Sequence, residues 1–329
     1  MVISQTPLRI SFVGGGTDLK SFYQKEDGMV LSTAIDKYVY VIVKGRFDEK
    51  IYVNYSIKEI VEDPSEIKHE LVREALKKAG VGSGVEITTL ADVPSEGSGL
   101  GSSSSVTVGL LNALYNYTGK QVTLEQIARE ACQIEIDICG KPIGKQDQYI
   151  AAYGGLNKII FHPDESVTVS RVPVFGRDLL ILGSRLLLFY TNKTRKADKI
   201  LRKQKKNTEN KRASLKSMRD LVPISEGFLS RGKFDNLGKL LHQNWLLKKT
   251  LVDTVSSPEI DAMYKKAMKA GALGGKLCGA GGGGFLLLYV PKDKQDTVRS
   301  ALKQYRELPF LLDSFGSRIL FNVRSYSIK

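Results

Sequence analysis

Apolar and polar residues alternate through Leu8-Arg9-Ile10-Ser11-Phe12. That period of two predicts a half-buried strand, with Leu8, Ile10 and Phe12 inward and Arg9 and Ser11 sharing the other face. Tyr38–Val43 and Ile51–Tyr55 read as further strands, with Gly45–Lys50 as a hairpin connection between them. A helical pattern runs from Pro64 through Lys78 and is closed by Gly80. Val85–Leu90 is again strand-like, and Val106, Leu110, Ala113, Leu114 and Tyr117 follow at helical spacing. Thr123 and Gln126 form a capping-box pair that opens a helix ending near Gly140.

The stretch Asp164–Arg177 has little helical period, and the chain is divided there into residues 1–170 and 171–329. Leu186–Tyr190 opens the second half as a strand, followed by a basic helix and a helical region from about Lys233 to Val252. Ser257, Pro258 and Glu259 are N-cap, first-turn proline and favourable acid of a helix ending near Gly271. A glycine tract, Gly274–Gly284, precedes the strand Phe285–Val290, and Lys294–Tyr305 and Arg318–Val323 read as helix and strand. Strands and helices alternate in a way that suits an α+β protein of two sandwich layers.

Composition narrows the class. A chain of 329 residues can hold two domains with separate cores, and 42% hydrophobic with 26% charged residues is a globular balance. No apolar run approaches membrane-spanning length, and the N-terminus lacks the basic-then-apolar layout of a signal peptide. The expectation is a cytoplasmic protein with no membrane partner. Cys132, Cys139 and Cys278 have no metal-type spacing, and an odd count argues against a disulfide framework. His69, His162 and His242 are scattered, which argues against a zinc site or a His-based triad. Much of the net charge of +14 lies between Lys193 and Lys216. A solvated face, nucleic acid or an acidic small molecule would each account for it. The segment contains no aromatic residue, which argues against a single-strand stacking surface.

Four places carry candidate chemistry. In Glu96–Ser105, glycines at alternate positions are followed by four serines at the start of a helix. A helix start has unpaired N–H groups and a partial positive charge, so the segment reads as a phosphate cradle, the alternative being a flexible connector. It is neither a Walker A loop nor a dinucleotide fingerprint, and the Gly279-x-Gly281-x-x-Gly284 match precedes its strand instead of following it. Gly14-Gly15-Gly16-Thr17-Asp18 ends the first strand and either presents amides and a carboxylate to a ligand or only makes a tight turn. Glu135 falls on the stripe Leu124, Ala128, Ala131, Ile138, where a carboxylate is costly unless it is paired, metal-bound or able to reach water. Asp147 stands in a small-residue, aromatic setting with Lys145 two residues away, a cation that would keep it ionised to orient a hydroxyl; otherwise it is a turn residue.

Three segments in this order, Thr6–Asp18, Pro94–Ser105 and Lys276–Phe285, resemble the GHMP small-molecule kinases, with Gly99–Ser103 matching the Gly-Leu-Gly-Ser-Ser core. Within that family, Gly-Gly-Gly-Thr-Asp and Gly144-Lys145-Gln146-Asp147-Gln148-Tyr149 are similar to the D-glycero-D-manno-heptose 7-phosphate kinases. The resemblance implies a ribosomal-protein-like α/β N-terminal domain joined to a ferredoxin-like α/β sandwich. It implies that Gly97, Ser98, Gly99, Leu100, Gly101, Ser102, Ser103 and Ser104 wrap the phosphates of ATP, while Ser103 and Glu135 hold Mg2+. Asp147 would be the catalytic aspartate, and Arg9 would steady charge near the transferred phosphoryl. Gly14, Gly15, Gly16, Thr17 and Asp18, with Gly281 and Gly282, would hold the sugar. The implied reaction is ATP-dependent phosphorylation of the anomeric hydroxyl of a heptose 7-phosphate, for nucleotide-activated heptose and surface polysaccharide synthesis.

Two departures stand out. Ser104-Ser105 replaces alanines found in many members, so either Ser103 or Ser104 could meet the metal. No motif selects residues for the substrate's own phosphate, for which Lys193, Arg195 and Lys199 are candidates. A kinase of the same family acting on fucose, another hexose or an isoprenoid precursor is the alternative, as is a nucleic-acid-binding protein on the ribosomal-type fold. The pattern leaves a homo-oligomer open.

Overall fold

The computed structural model describes residues 1–94, 97–194 and 197–323. After β1 (Val2–Val13) and the short helix α1 (Lys20–Tyr23), the chain forms the 18-residue strand β2 (Gly28–Gly45). β3 (Ile51–Asn54), β4 (Lys58–Val61), α2 (Glu70–Ala79) and β5 (Val85–Ala91) lead to α3 (Ser102–Tyr117). α4 (Leu124–Cys132) runs directly into a π-helical turn, Gln133–Ile138, and α5 (Gln146–Tyr153) precedes the hairpin of β6 (Leu156–Phe161) and β7 (Val167–Arg171).

β2 is the spine of a nine-stranded sheet. One edge pairs with β1 along most of its length, while the other pairs in turn with β6, through Gly28–Thr33, and with β5, through Val39–Gly45. Val39, Val41 and Val43 alternate inward and are fully buried, and α3 packs across β1 and β2 as the other wall of that core. Burying a valine side chain contributes about 1.5–3 kcal/mol, so this face is a main source of stability.

The second half contains α6 (Gly176–Gly183), β8 (Leu186–Tyr190), α7 (Ala197–Asn207), α8 (Arg212–Leu229), α9 (Phe234–Lys249) and α10 (Pro258–Lys269). β9 (Gly274–Leu277), β10 (Phe285–Tyr289) and α11 (Gln295–Ala301) follow. β10 lies between β8 and β9, all antiparallel, and residues 306–308 bond to the free edge of β8. The resulting β-α-β-β-α-β order is that of a ferredoxin-like layer. β11 (Leu312–Asp313) and β12 (Arg318–Asn322) then return to the first sheet, on β2 and β1.

Several expected elements shift. Gly45–Lys50 is not a hairpin: β5 inserts between β2 and β3 and pairs with β3 in parallel, because the β3–β4–α2 excursion gives the chain room to cross. The helix expected from Pro64 starts at Glu70, with His69 Nδ1 accepting from Val72 N–H, and Pro64–Glu66 is a separate 3-10 turn. The stripe around Glu135 breaks at both ends, since Leu124 and Ile138 are exposed and the π turn rotates its last members. Asp164–Arg177 contains β7 rather than only irregular chain. No described helix is long and apolar enough to cross a membrane.

Candidate active site

Arg9, on the face of β1 opposite Ile10, is covered by α5 and the glycine-serine loop. Its Nε and Nη2 donate to the two Asp147 carboxylate oxygens at 2.7 and 2.6 Å, and Nη1 donates to the Gly99 carbonyl at 2.6 Å. The Arg9 side chain is 5% exposed and that of Asp147 22%. Asp147 stands in the first turn of α5, where helix N–H groups favour a carboxylate. The cation beside Asp147 is therefore Arg9 and not Lys145, which pairs with Glu165 and lies over the Tyr23 ring. Helix geometry turns Lys145 away from Asp147, so nearness in sequence misleads there.

The glycine-serine loop is held at both ends. Ser95 and Glu96 lie outside the described residues. Gly97, Gly99 and Gly101 have φ of 73°, 74° and 80°, the left-handed region that favours glycine. A Cβ on Gly99 would also meet the Cys278 carbonyl oxygen at 2.6 Å. The Leu100 side chain is fully buried, its carbonyl accepts from Arg9 N–H at 2.9 Å, and the buried Ser98 accepts from Phe285 N–H at 3.3 Å. The third glycine tract thus backs the loop, with Gly279 against Gly99 and Gly284 against Ser98. Gly281 and Gly282 lie against Val255, and Gly282 N–H donates to its carbonyl at 2.8 Å.

No side chain caps the first turn of the 16-residue α3, and the Ser102 hydroxyl is buried without a partner among the described residues. Open N–H groups at a helix start suit an anion. Glu135 is fully buried beside that start. It accepts from the Ser103 hydroxyl at 2.7 Å, from the Ser104 hydroxyl at 2.6 Å and from Gln148 Nε2. Burial raises its pKa, against the pull of Lys141, whose ammonium lies 3.9 Å away. Ser103 is exposed and Ser104 buried.

On the other side of Arg9, the buried Asp18 accepts from Gly16 N–H at 2.9 Å and Gln146 Nε2 at 3.0 Å. Burial, and then Asp147, pushes its pKa up. The Thr17 hydroxyl is spent on the turn itself, donating to the Gly14 and Met29 carbonyls at 2.8 and 2.9 Å. Gly14 N–H donates to Asn244 Oδ1 at 3.3 Å, and a Cβ on Gly15 would lie 3.8 Å from Ser11 Oγ and 3.9 Å from Gln146 Nε2. Ser11 Oγ, Gln146 Oε1 and Asn244 Nδ2 are buried and unpartnered among the described residues. Unmet polar atoms converging on one turn suit a ligand rich in hydroxyls. Two buried lysines complete this wall: Lys276 Nζ donates to the Ser11 carbonyl at 2.8 Å, and Lys248 Nζ to those of Leu277 and Gly279. Burial lowers the pKa of Lys276 to about 8 and drives that of Lys248 well below the usual lysine range.

The GHMP kinase N-terminal domain family matches residues 67–155, and the GHMP kinase C-terminal family matches residues 225–307. A Campylobacter jejuni protein described as a D-glycero-alpha-D-manno-heptose 7-phosphate kinase is 33% identical over 320 residues, covering 92% of this chain and 93% of that one. The chain belongs to the GHMP kinases. A GHMP kinase is an ATP-dependent phosphotransferase. A Pyrococcus furiosus galactokinase is also similar to this GHMP kinase, 28% identical with 92% of each chain covered. The fold matches the crystal structure of a D-glycero-D-manno-heptose 1-phosphate kinase from Bacteroides thetaiotaomicron with a TM-score of 0.82. That match covers 99% of this chain and all of the other at 23% identity.

Sequence reasoning missed Lys141, Asn244 and Lys248 in this GHMP kinase, and gave no role to Ser11, Gln146, Gln148 or Lys276. The last four stand inside the quoted segments and could have been read from them; Asn244 and Lys248 are one turn apart on α9, a spacing any amphipathic helix shows. Of the candidates for a substrate phosphate, Lys193 pairs with Glu259 at 2.8 Å, Lys199 is exposed, and Arg195 lies outside the described residues. The histidines have local partners: His162 meets Asp27 and Thr168, His242 meets Tyr264, and His69 caps α2.

Proposed function

We propose that the chain transfers the γ-phosphoryl group of ATP to the anomeric hydroxyl of D-glycero-D-manno-heptose 7-phosphate, giving the 1,7-bisphosphate. The observation that carries this reading is the Arg9 fork. One guanidinium joins the carboxylate that would face an acceptor hydroxyl to the backbone of the loop that would hold the donor. The heptose phosphate relative and the three unpartnered polar atoms beside Gly14 and Gly15 support the choice of acceptor. We divide the chain into two domains, residues 1–170 and 171–329, with the family matches falling on either side, the end of β7 and the strands β11 and β12 of the second part joining the sheet of the first.

Phosphoryl transfer asks a protein for positioning and charge neutralisation more than for covalent chemistry. Gly97–Ser104 hold the triphosphate through backbone N–H groups and the α3 terminus. Asp147 orients the acceptor hydroxyl and accepts its proton, and Arg9 offsets charge as the γ-phosphoryl moves. Asp18, Gln146, Ser11 and Asn244 take up hydroxyls of the sugar. The Ser103 or Ser104 hydroxyl and the Glu135 carboxylate are an oxygen-only donor set, and among the described residues no cation lies closer than 3.9 Å to that buried carboxylate, which fits Mg2+. When bound, the ion neutralises phosphate charge.

The deciding experiment is ADP release across a panel of sugars and sugar phosphates, followed by locating the new phosphate on the product. A phosphate at the anomeric oxygen of the heptose phosphate is expected. Turnover confined to fucose, galactose or mevalonate would overturn the choice of acceptor, and salt-sensitive RNA binding without any turnover would overturn the enzyme reading.

A further inference from the structure

Ser103, Ser104 and Gln148 all donate to the buried Glu135 carboxylate, yet a lysine stands beside it as well. Gly140, with φ of 63°, turns the chain back after the π turn, and Lys141 N–H donates to the Glu135 carbonyl at 2.9 Å. That bond fixes the Lys141 backbone against the turn. The Lys141 ammonium donates to Ser103 Oγ at 3.1 Å and lies 3.4 Å from Glu70 Oε1 on α2 and 3.9 Å from Glu135 Oε1. Its side chain is 21% exposed and Ser103 is exposed, so the pair is open to solvent at the start of α3.

The other cations named around the glycine-serine loop are committed. Arg9 is held by Asp147 and the Gly99 carbonyl, Lys248 and Lys276 by backbone carbonyls, and Lys193 by Glu259. Lys141 has only a hydroxyl as hydrogen-bond acceptor among the described side chains, and its nearer carboxylate, Glu70, is a half-exposed partner of the weak surface kind. An ammonium carries three donors, so Lys141 keeps capacity for another acceptor. A polyphosphate seated on the open N–H groups of α3 brings oxygens to the hydroxyl that Lys141 touches, and lysine is a compact point charge suited to phosphate.

We propose that Lys141 is a phosphate ligand of the nucleotide, carried beside Ser103 and Glu135 so that it holds the phosphates with or without the metal. The proposal rests on the kinase reading above. Glu70 keeps the ammonium near Ser103 until the nucleotide arrives. A lysine that only offset the Glu135 charge would leave metal-free nucleotide binding untouched, so that binding is the quantity to measure.

N-methylanthraniloyl-ADP is titrated by fluorescence in excess EDTA and again with magnesium, for the wild-type protein and for Lys141→Gln, Lys141→Met and Lys141→Arg. In EDTA the wild type binds, and the two neutral variants weaken Kd roughly tenfold, the effect of losing one charge-assisted hydrogen bond. Lys141→Arg recovers most of that loss, since a guanidinium also donates to phosphate. KM for ATP in the ADP-release assay rises by a similar factor in the neutral variants. All three donors to Glu135 survive these changes, so the fold tolerates them, which urea denaturation checks. Neutral variants that bind as the wild type does in EDTA, or a wild type that binds only with magnesium, overturn the Lys141 assignment and leave the kinase reading standing. A wild type that binds no adenine nucleotide under either condition overturns the donor site itself, and the Lys141 assignment with it.

Discussion

Asp147→Asn removes one charge while nearly preserving shape, so it separates the role of the carboxylate in the reaction from that of its pair with Arg9 in the fold. Two charge-assisted hydrogen bonds, at 2.7 and 2.6 Å, join the residues. With side chains 5% and 22% exposed, the pair falls between the surface class, worth up to about 1 kcal/mol, and the buried class, where losing one partner costs about 3–5 kcal/mol. An asparagine keeps one acceptor for the guanidinium and sets its NH2 against the other donor. The expected loss of stability is therefore about 2 kcal/mol, read by urea denaturation. Arg9→Gln and the double variant close a thermodynamic cycle, with an expected coupling of about 2 kcal/mol. In the kinase assay the same Asp147→Asn protein loses roughly ten- to ten-thousandfold in kcat, with KM for ATP little changed. Wild-type turnover in a folded Asp147→Asn enzyme would falsify the catalytic assignment. Coupling below about 0.5 kcal/mol would show that the fork does not hold the two walls of the site together.

The other predictions concern the metal and the buried lysine. Glu135→Gln is expected to raise the magnesium concentration needed for half-maximal turnover; an unaltered titration counts against Glu135 as a ligand. Ser103→Ala should shift the same titration with little effect on stability, whereas Ser104→Ala, which strips a buried carboxylate of a donor, should cost about 1–3 kcal/mol in denaturation. The reverse pattern would make Ser104 the metal serine. Lys276 titrates near 8 when folded, against 10.5 for an ordinary lysine. Between those values the unfolded chain binds a proton that the folded chain lacks, so stability rises with pH across that window, and Lys276→Met should flatten the rise. The same deprotonation takes a positive charge from beside Arg9 and Ser11, so kcat/KM should fall as pH rises through about 8. Lys276→Arg should carry the fall to higher pH; a limb that stays put in that variant sinks the assignment.

Legibility in this chain follows how local the cause is. The glycine segments were readable because backbone with positive φ favours glycine, and backbone pressed on backbone, as at Gly99 and Cys278, leaves no room for a side chain. The Thr123 cap and the Gly80 stop were readable for the same reason, since each acts within one turn. The first half of β2 was not. Ser32 and Thr33 are polar yet fully buried, paired with β1 on one edge and β6 on the other, and no pattern within the strand announces a partner more than a hundred residues away. Asn244 and Lys248 were hidden likewise, because only the docking of α9 against the first strand and the third glycine tract gives them their partners.

Glu135 shows how the two kinds of cause meet. A carboxylate on an apolar stripe is a conflict visible in sequence, and the structure resolves it with the two serines and Gln148 rather than with a cation in direct contact. Glu135 shares the helical face of Ala128 and Ala131, and the π turn that carries it rotates the residues that follow, Ile138 among them, off that face. The serine pair then divides the work by exposure. Ser104, buried, holds the carboxylate in place, and Ser103, exposed at the helix start, donates to that carboxylate at 2.7 Å and accepts from the Lys141 ammonium at 3.1 Å. On this geometry we propose Ser104 as a support for the carboxylate and Ser103 as the hydroxyl that meets the ion.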